Sequence, residues 1–153
     1  MSTKAEILAA LAFRLEGIKI VNGYGTDVKK VYVDDIPMGT QLNEYELPAI
    51  LLLDKDDSLS TEQSKLVGQW RVTLQLWNVA TSDSVMLAFV RDVYKAIFAG
   101  SAVAQQTGAF RSLNPKIVEV KPVSIASDLH MIEANRIYEV TFLVHYRADL
   151  WNI

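Results

Sequence analysis

The sequence predicts an α+β fold, a mostly antiparallel sheet with two helices on one face, in the order α-β-β-β-α-β-β. Three observations lead there. Two segments open on a capping residue and then repeat apolar side chains at helical spacing. Two others, around Trp70 and Tyr138, alternate apolar and polar residues with period two. Short apolar runs bounded by Pro, Gly and Asp supply the remaining strands, and an open sheet must bury its apolar face under the helices. At 153 residues the chain reads as one domain, 1–153.

The first helix, about residues 3–16, begins at Thr3 and Glu6, which have the spacing of a capping box. Ile7, Leu8, Leu11, Leu15 and Ile18 form its stripe, and Gly17 stands at the C-terminal cap position. Asn22-Gly23-Tyr24-Gly25 is a loop into a short strand at 28–33. Residues 34–48 form a polar connection with Pro37, Gly39 and Pro48, before the buried strand 49–53. Residues 54–64 read as a charged, hydroxyl-rich loop. The strand at 67–77 places Trp70, Val72, Leu74 and Leu76 on one face. Ser82 and Asp83 cap a second helix at 83–99, with Val85, Met86, Phe89, Val90, Val93 and Ile97 as its stripe and Gly100 as its stop. After a linker at 102–115, strands are expected at 117–123 and 135–146, the latter with Tyr138, Val140, Phe142, Val144 and Tyr146 on one face.

Composition excludes several functions. The chain has no cysteine, which removes disulfides, thiolate nucleophiles, iron–sulfur clusters and cysteine-ligated zinc. Fifteen basic and 18 acidic residues give a net charge of −3 and a pI near 5.3, unlike the basic surface that phosphate neutralisation requires. No apolar run approaches the roughly 20 residues that span a bilayer. The N-terminus lacks the pattern of a secretory signal, so the expectation is a mature sequence in a reducing cytosol.

Motifs for chemistry are missing in an informative way. His130 and His145 lie on different segments without metal-ligand spacing. The acidic start at Asp54-Lys55-Asp56-Asp57-Ser58 fails as a calcium loop, because Leu59 replaces the turn glycine and Lys65 the bidentate glutamate. Gly23-x-Gly25 lacks the third glycine of a dinucleotide loop and precedes a strand rather than a helix. Asp34-Asp35 and Asp56-Asp57 read as solvated neighbours rather than an acid–base pair. No catalytic residue, cofactor or metal is assigned.

The apolar surplus is more telling. At 100° per residue, Leu87, Tyr94 and Phe98 form a second stripe on the second helix, and Phe13 points away from the stripe of the first. Two helices over one sheet face leave these four side chains partly wet, so they are candidates for subunit contact. The sheet's other face, with Arg71, Thr73, Gln75, Glu139, Thr141 and His145, is mixed in charge and without a helix to cover it.

The opening Lys4-Ala5-Glu6-Ile7-Leu8, the strand entry at 28–33, the proline in Leu47-Pro48-Ala49-Ile50, the segment Trp70-Arg71-Val72-Thr73-Leu74 and the ending 138–147 together resemble bacteriophage tail terminator or minor tail proteins, over essentially the whole chain. The resemblance is one of pattern. It implies a non-enzymatic virion protein of the tail or neck, assembled in the host cytoplasm as a ring, commonly of six subunits. Its implied partners are itself, the tail-tube protein and a head-connector or neck protein or sheath, with DNA only passing through the lumen and no membrane. By the same analogy, loops with Asp34, Asp35, Glu44, Asp54, Asp56, Asp57 and Glu62 reach the tube or connector. Phe13, Leu87, Tyr94 and Phe98 lie between subunits, and Arg71, Gln75, Glu139 and His145 face the lumen or a neighbouring subunit. Two alternatives stand beside it: another neck or tail ring component, and a small ligand-binding or enzymatic α+β domain with a cleft between sheet and helices, for which Glu139, His145 and Arg147 are the nearest titratable cluster.

Overall fold

The computed structural model describes residues 3–33, 46–62, 65–79, 81–98, 116–132 and 135–149. The elements are α1 (Thr3–Glu16), a 3-10 turn (Ile20–Asn22), β1 (Lys30–Val33), β2 (Ala49–Glu62), β3 (Lys65–Val79), α2 (Asp83–Ile97), β4 (Ile117–Ile132) and β5 (Asn135–Asp149). The predicted α+β class and element order hold. The strands form one sheet in the order β1-β2-β3-β5-β4, with β1 parallel to β2 and every other pair antiparallel.

Both helices pack on one face of that sheet. Ile7, Leu11, Leu15, Met86, Phe89, Val90 and Val93 share a core with Ile50, Leu52, Trp70, Val72, Leu74, Leu76 and the alternate residues Tyr138 to Tyr146 of β5. Ser82 caps α2 as expected, its Oγ accepting from Val85 N at 3.4 Å. Thr3, read as a cap, lies within α1, and its hydroxyl accepts from Lys116 Nζ at 3.3 Å. Val85 was expected in the core stripe but is 44% exposed, in the first turn of α2. Gly100 and the linker at 102–115 lie outside the described residues.

The largest departure from expectation is strand length. Residues 54–62, expected as a loop, continue β2, and β4 runs nine residues past the expected 123. Both extensions are arms of hairpins: β2 pairs with β3 out to Glu62↔Lys65, and β4 with β5 out to Ile132↔Asn135. Backbone pairing holds the β2 arm without an apolar face, so the polar composition of 54–62 does not signal a loop. Fifteen residues of β3 extend about 50 Å, whereas fourteen helical residues cover about 21 Å. The sheet therefore outruns its helices. Because Lys65 pairs with Asp149 and Val79 with Asn135, the two hairpins point out of opposite ends of the sheet.

A second apolar cluster, unexpected from the sequence, lies on the helix-free face: Leu47, Ala49, Leu51, Trp77 and Ile137 are buried, with Tyr32 against them. Trp77 continues the face read as polar from Gln69 to Gln75, and its indole N–H donates to Gln75 Oε1 at 3.2 Å.

Gly68 is required where it stands. It pairs with Tyr146, a fully buried ring packed edge-on against Trp70 at 6.2 Å, and a Cβ on Gly68 would lie 2.3 Å from Tyr146 Cε1. Gly68→Ala is expected to lower stability by about 2–3 kcal/mol, the cost of overpacking a core, as measured by urea unfolding.

Candidate functional site

The residues expected to meet another subunit fall into two groups. Phe13 is 79% exposed and Leu87 48% exposed. Tyr94 and Phe98 are half-buried against the core, both rings within 5.9 Å of Phe142, and burial pushes the Tyr94 phenol above its ordinary range. An apolar second stripe on a helix thus divides between exposed surface and packing against β5.

The predicted face of Arg71, Gln75, Glu139 and His145 is assembled by register. Gln75 stands opposite Glu139, Gln69 opposite His145 and Thr73 opposite Thr141. Gln75 Nε2 donates to Glu139 Oε2 at 3.4 Å, and the hydroxyls of Thr73 and Thr141 meet at 3.2 Å. Arg71 is exposed, the others half-buried, and Thr73 buried. The face is a hydrogen-bonded polar ladder with the Trp77 cluster at one end. Six residues along β5 separate Glu139 from His145, about 20 Å, so the two do not form an acid–base pair.

Of the expected contact loops, Asp34, Asp35 and Glu44 lie outside the described residues. Asp54, Asp56, Asp57 and Glu62 belong to β2 and not to a loop. Since β1 pairs only with Ala49 to Leu52, residues 53–62 of β2 form the sheet's margin among the described strands, with a register shift between Asp54 and Asp57. The opposite margin is β4, whose Val118, Val123 and Ile125 are exposed beside Pro122 and repeated register shifts. Proline and bulges of this kind blunt a sheet edge against further strand pairing.

The Gly23–Gly25 loop is occupied by the protein's own carboxylate. Gly25 N–H donates to Oδ2 of the buried Asp92 at 3.1 Å, and Lys95 Nζ donates to Gly23 O at 3.1 Å, tying the loop to α2. Gly23 takes a left-handed φ of 91° that ends the 3-10 turn. Between helices and sheet, a void lined by Ile7, Leu11, Val72, Ile97, Phe142 and Val144 measures about 10 Å³, no more than one water needs. The cleft that a small-molecule site would use there is closed. Among the described residues no group of three or more His, Asp or Glu is placed to hold a metal ion.

Among the described residues, clefts open to solvent lie at two places. One, about 320 Å³, runs beside β1 and is lined by Glu16, Lys19, Lys29 and Lys30. The other, about 410 Å³, lies at the β2–β3 end of the sheet, where Lys65, Lys116 and Arg147 surround Asp149 over Ile117, Val118 and Ala148. A hydrogen bond from Lys65 and its charge, with a further contribution from Lys116, hold the Asp149 carboxyl below the ordinary aspartate range. The pair's small stabilisation is therefore complete above that range and lost only as pH falls below it. Sequence reading missed this second cleft because its cations come from the ends of three strands.

The helix surface yields a test that separates its two groups. Leu87→Asp is expected to change stability by less than about 0.5 kcal/mol, whereas Phe98→Asp, placing a charge against Phe142, should cost about 2–4 kcal/mol. Thermal unfolding of the two variants by circular dichroism measures both.

No protein-family model matches the chain, and no curated protein matches it. Among solved structures, a chain of the virion of a native gene transfer agent particle is similar, with a TM-score of 0.57 and 11% identity over 96% of this chain and 96% of that one. At that identity what the two chains share is the fold.

Proposed function

We propose that the protein is a non-enzymatic structural component of a phage-like virion, a tail terminator that forms a ring, of six subunits by analogy, on the last ring of the tail tube. The ring ends tube polymerisation and presents a docking surface to the head connector. The observation that carries this reading is the fold shared end to end with a chain of a gene transfer agent virion.

The architecture supports it. A ring between two different neighbours needs contacts at both axial ends, and the hairpins β2–β3 and β4–β5 project from opposite ends of a sheet longer than its helices. A closed ring also uses two different patches of each subunit, and the exposed Phe13 and Leu87 on one side of the sheet, with the polar ladder of Arg71, Gln75, Glu139 and His145 on the other, supply distinct surfaces. With the ladder toward the lumen, a net charge of −3 suits a channel through which DNA must move without sticking.

Mass in solution followed by negative-stain imaging, with and without tail-tube protein, tests the proposal. The expected result is a ring-shaped homo-oligomer seated on tube ends, with tubes that stop growing when the protein is added. A protein that stays monomeric with its tube protein, leaves tube length unchanged and turns over a small substrate contradicts it.

A further inference from the structure

The helix-free face of the sheet is uneven in charge. Where β3 meets the far end of β5, the register sets Arg71 opposite Leu143, Gln69 opposite His145 and Val67 opposite Arg147, and β4 adds Lys121 beside Leu143 and Glu119 beside His145. Lys121 Nζ lies 3.7 Å from Glu119 Oε2, and Lys65 is paired with Asp149. Arg71 and Arg147 are exposed and, among the described residues, neither guanidinium has a hydrogen-bond or ion-pair partner. With the two ion pairs set aside, this half of the face keeps two uncompensated positive charges. The other half, around Thr73, Gln75, Glu139 and Thr141, carries no cation among the described residues.

Spacing and surroundings decide what fits these charges. Arg147 lies four residues along β5 from Leu143, the partner of Arg71, so the two positions stand about 13 Å apart along the strands. That interval suits a chain of repeated charges better than one small anion. Along one strand of a DNA duplex a phosphate recurs about every 3.4 Å of axis, so about four steps separate the two contacts. Gln69 and His145 between them are polar, and the Trp77 cluster, the large apolar group of this face, is buried. A protein partner anchors in apolar pockets, whereas a phosphodiester backbone is held by cations and polar donors alone. The planar, permanently charged guanidinium is the cation whose fork matches a phosphate.

We propose that Arg71 and Arg147 form a nucleic-acid contact, each guanidinium holding a backbone phosphate of DNA that passes over the helix-free face. The proposal rests on the tail-ring reading and names what the polar ladder touches. In that reading the two hairpins mark the axial ends, so the strands, and the row from Arg71 to Arg147, run along the DNA. The contact sits at one axial level. Beyond it the ladder of Thr73, Gln75, Glu139 and Thr141 offers DNA no cation, so the wall as a whole stays non-adhesive while each subunit holds two phosphates.

Binding of a labelled short DNA duplex to the full-length protein, followed by fluorescence anisotropy across a salt series, tests the contact. Two phosphates neutralised by each subunit give a slope of log K against log salt of about −1.8 per bound subunit. Arg71→Gln with Arg147→Gln should make the slope shallower by about that amount, and Arg71→Lys with Arg147→Lys, which keeps both charges, should retain it. Lys29→Gln with Lys30→Gln, another exposed basic pair, should leave it unchanged. All four positions are exposed, and circular dichroism checks that each variant is folded. Equal shallowing by the Lys29 and Lys30 substitutions, or a polyglutamate peptide that displaces the duplex as well as unlabelled DNA does, means general anion attraction and overturns the proposal. Rings are scored separately in micrographs, where the Arg71→Gln, Arg147→Gln protein should still seat on tube ends. Rings lost only in that variant put the face between subunits, and rings of unmodified protein without salt-dependent DNA binding leave the arginines idle. Either result overturns the contact and leaves the ring reading standing. Absence of both rings and DNA binding overturns the two together.

Discussion

The β3–β5 ladder is the constraint on which the rest of the molecule depends. Its fifteen pairs run from Lys65↔Asp149 to Val79↔Asn135 without a register shift. The neighbouring pairs β2–β3 and β4–β5 both contain shifts. A one-residue slip of β5 against β3 would exchange the faces of β5, bringing Glu139 and Thr141 under the helices in place of Val140 and Phe142. The hydrophobic pattern and the register enforce each other. Within that frame Gly68 leaves room for Tyr146, and Tyr146 seats Trp70, so one missing Cβ fixes a fully buried aromatic pair.

From this central pair the two surfaces acquire different characters. Helices of about 21 Å bury the middle of one face and leave the ends of a 50 Å sheet as paired but uncovered arms. Among the described residues the other face has no helix and uses side-chain hydrogen bonds, Thr73 to Thr141 and Gln75 to Glu139, with the cluster around Trp77 at one end. Among the described residues the two margins differ: Lys29 and Lys30 stand at β1, and Val118, Val123 and Ile125 are exposed beside Pro122 along β4.

Core-facing residues were legible in the sequence because periodicity records burial. Trp70 to Leu76, Tyr138 to Tyr146 and Ile7 to Leu15 lie where their spacing put them. Strand ends were not: residues 54–62 are mostly polar and held by backbone pairing, and residues 124–132 carry Ile125, Leu129 and Met131 in an alternation broken by Ser127. Trp77 continues the Gln69–Gln75 face as an apolar residue, and its burial needs Leu47, Ala49, Leu51 and Ile137 from three other segments. Asp92 was invisible for another reason: its partner, the Gly25 amide, lies 67 residues away. Of the candidate surfaces, the outward positions of Phe13 and Leu87 follow from helical geometry. The basic cleft needed the register that brings the ends of three strands together.

We propose that a rigid β3–β5 frame carries separate surfaces that become buried on assembly. Hydrogen exchange measured on the free subunit and on the assembled particle tests it most directly. The account predicts slowest exchange in the middle of β3 and β5 in both states, with protection gained on assembly in residues 54–62, in β4 and at the 145–149 end of β5. Unchanged protection in those margins, or new protection confined to the helix–sheet core, would contradict it.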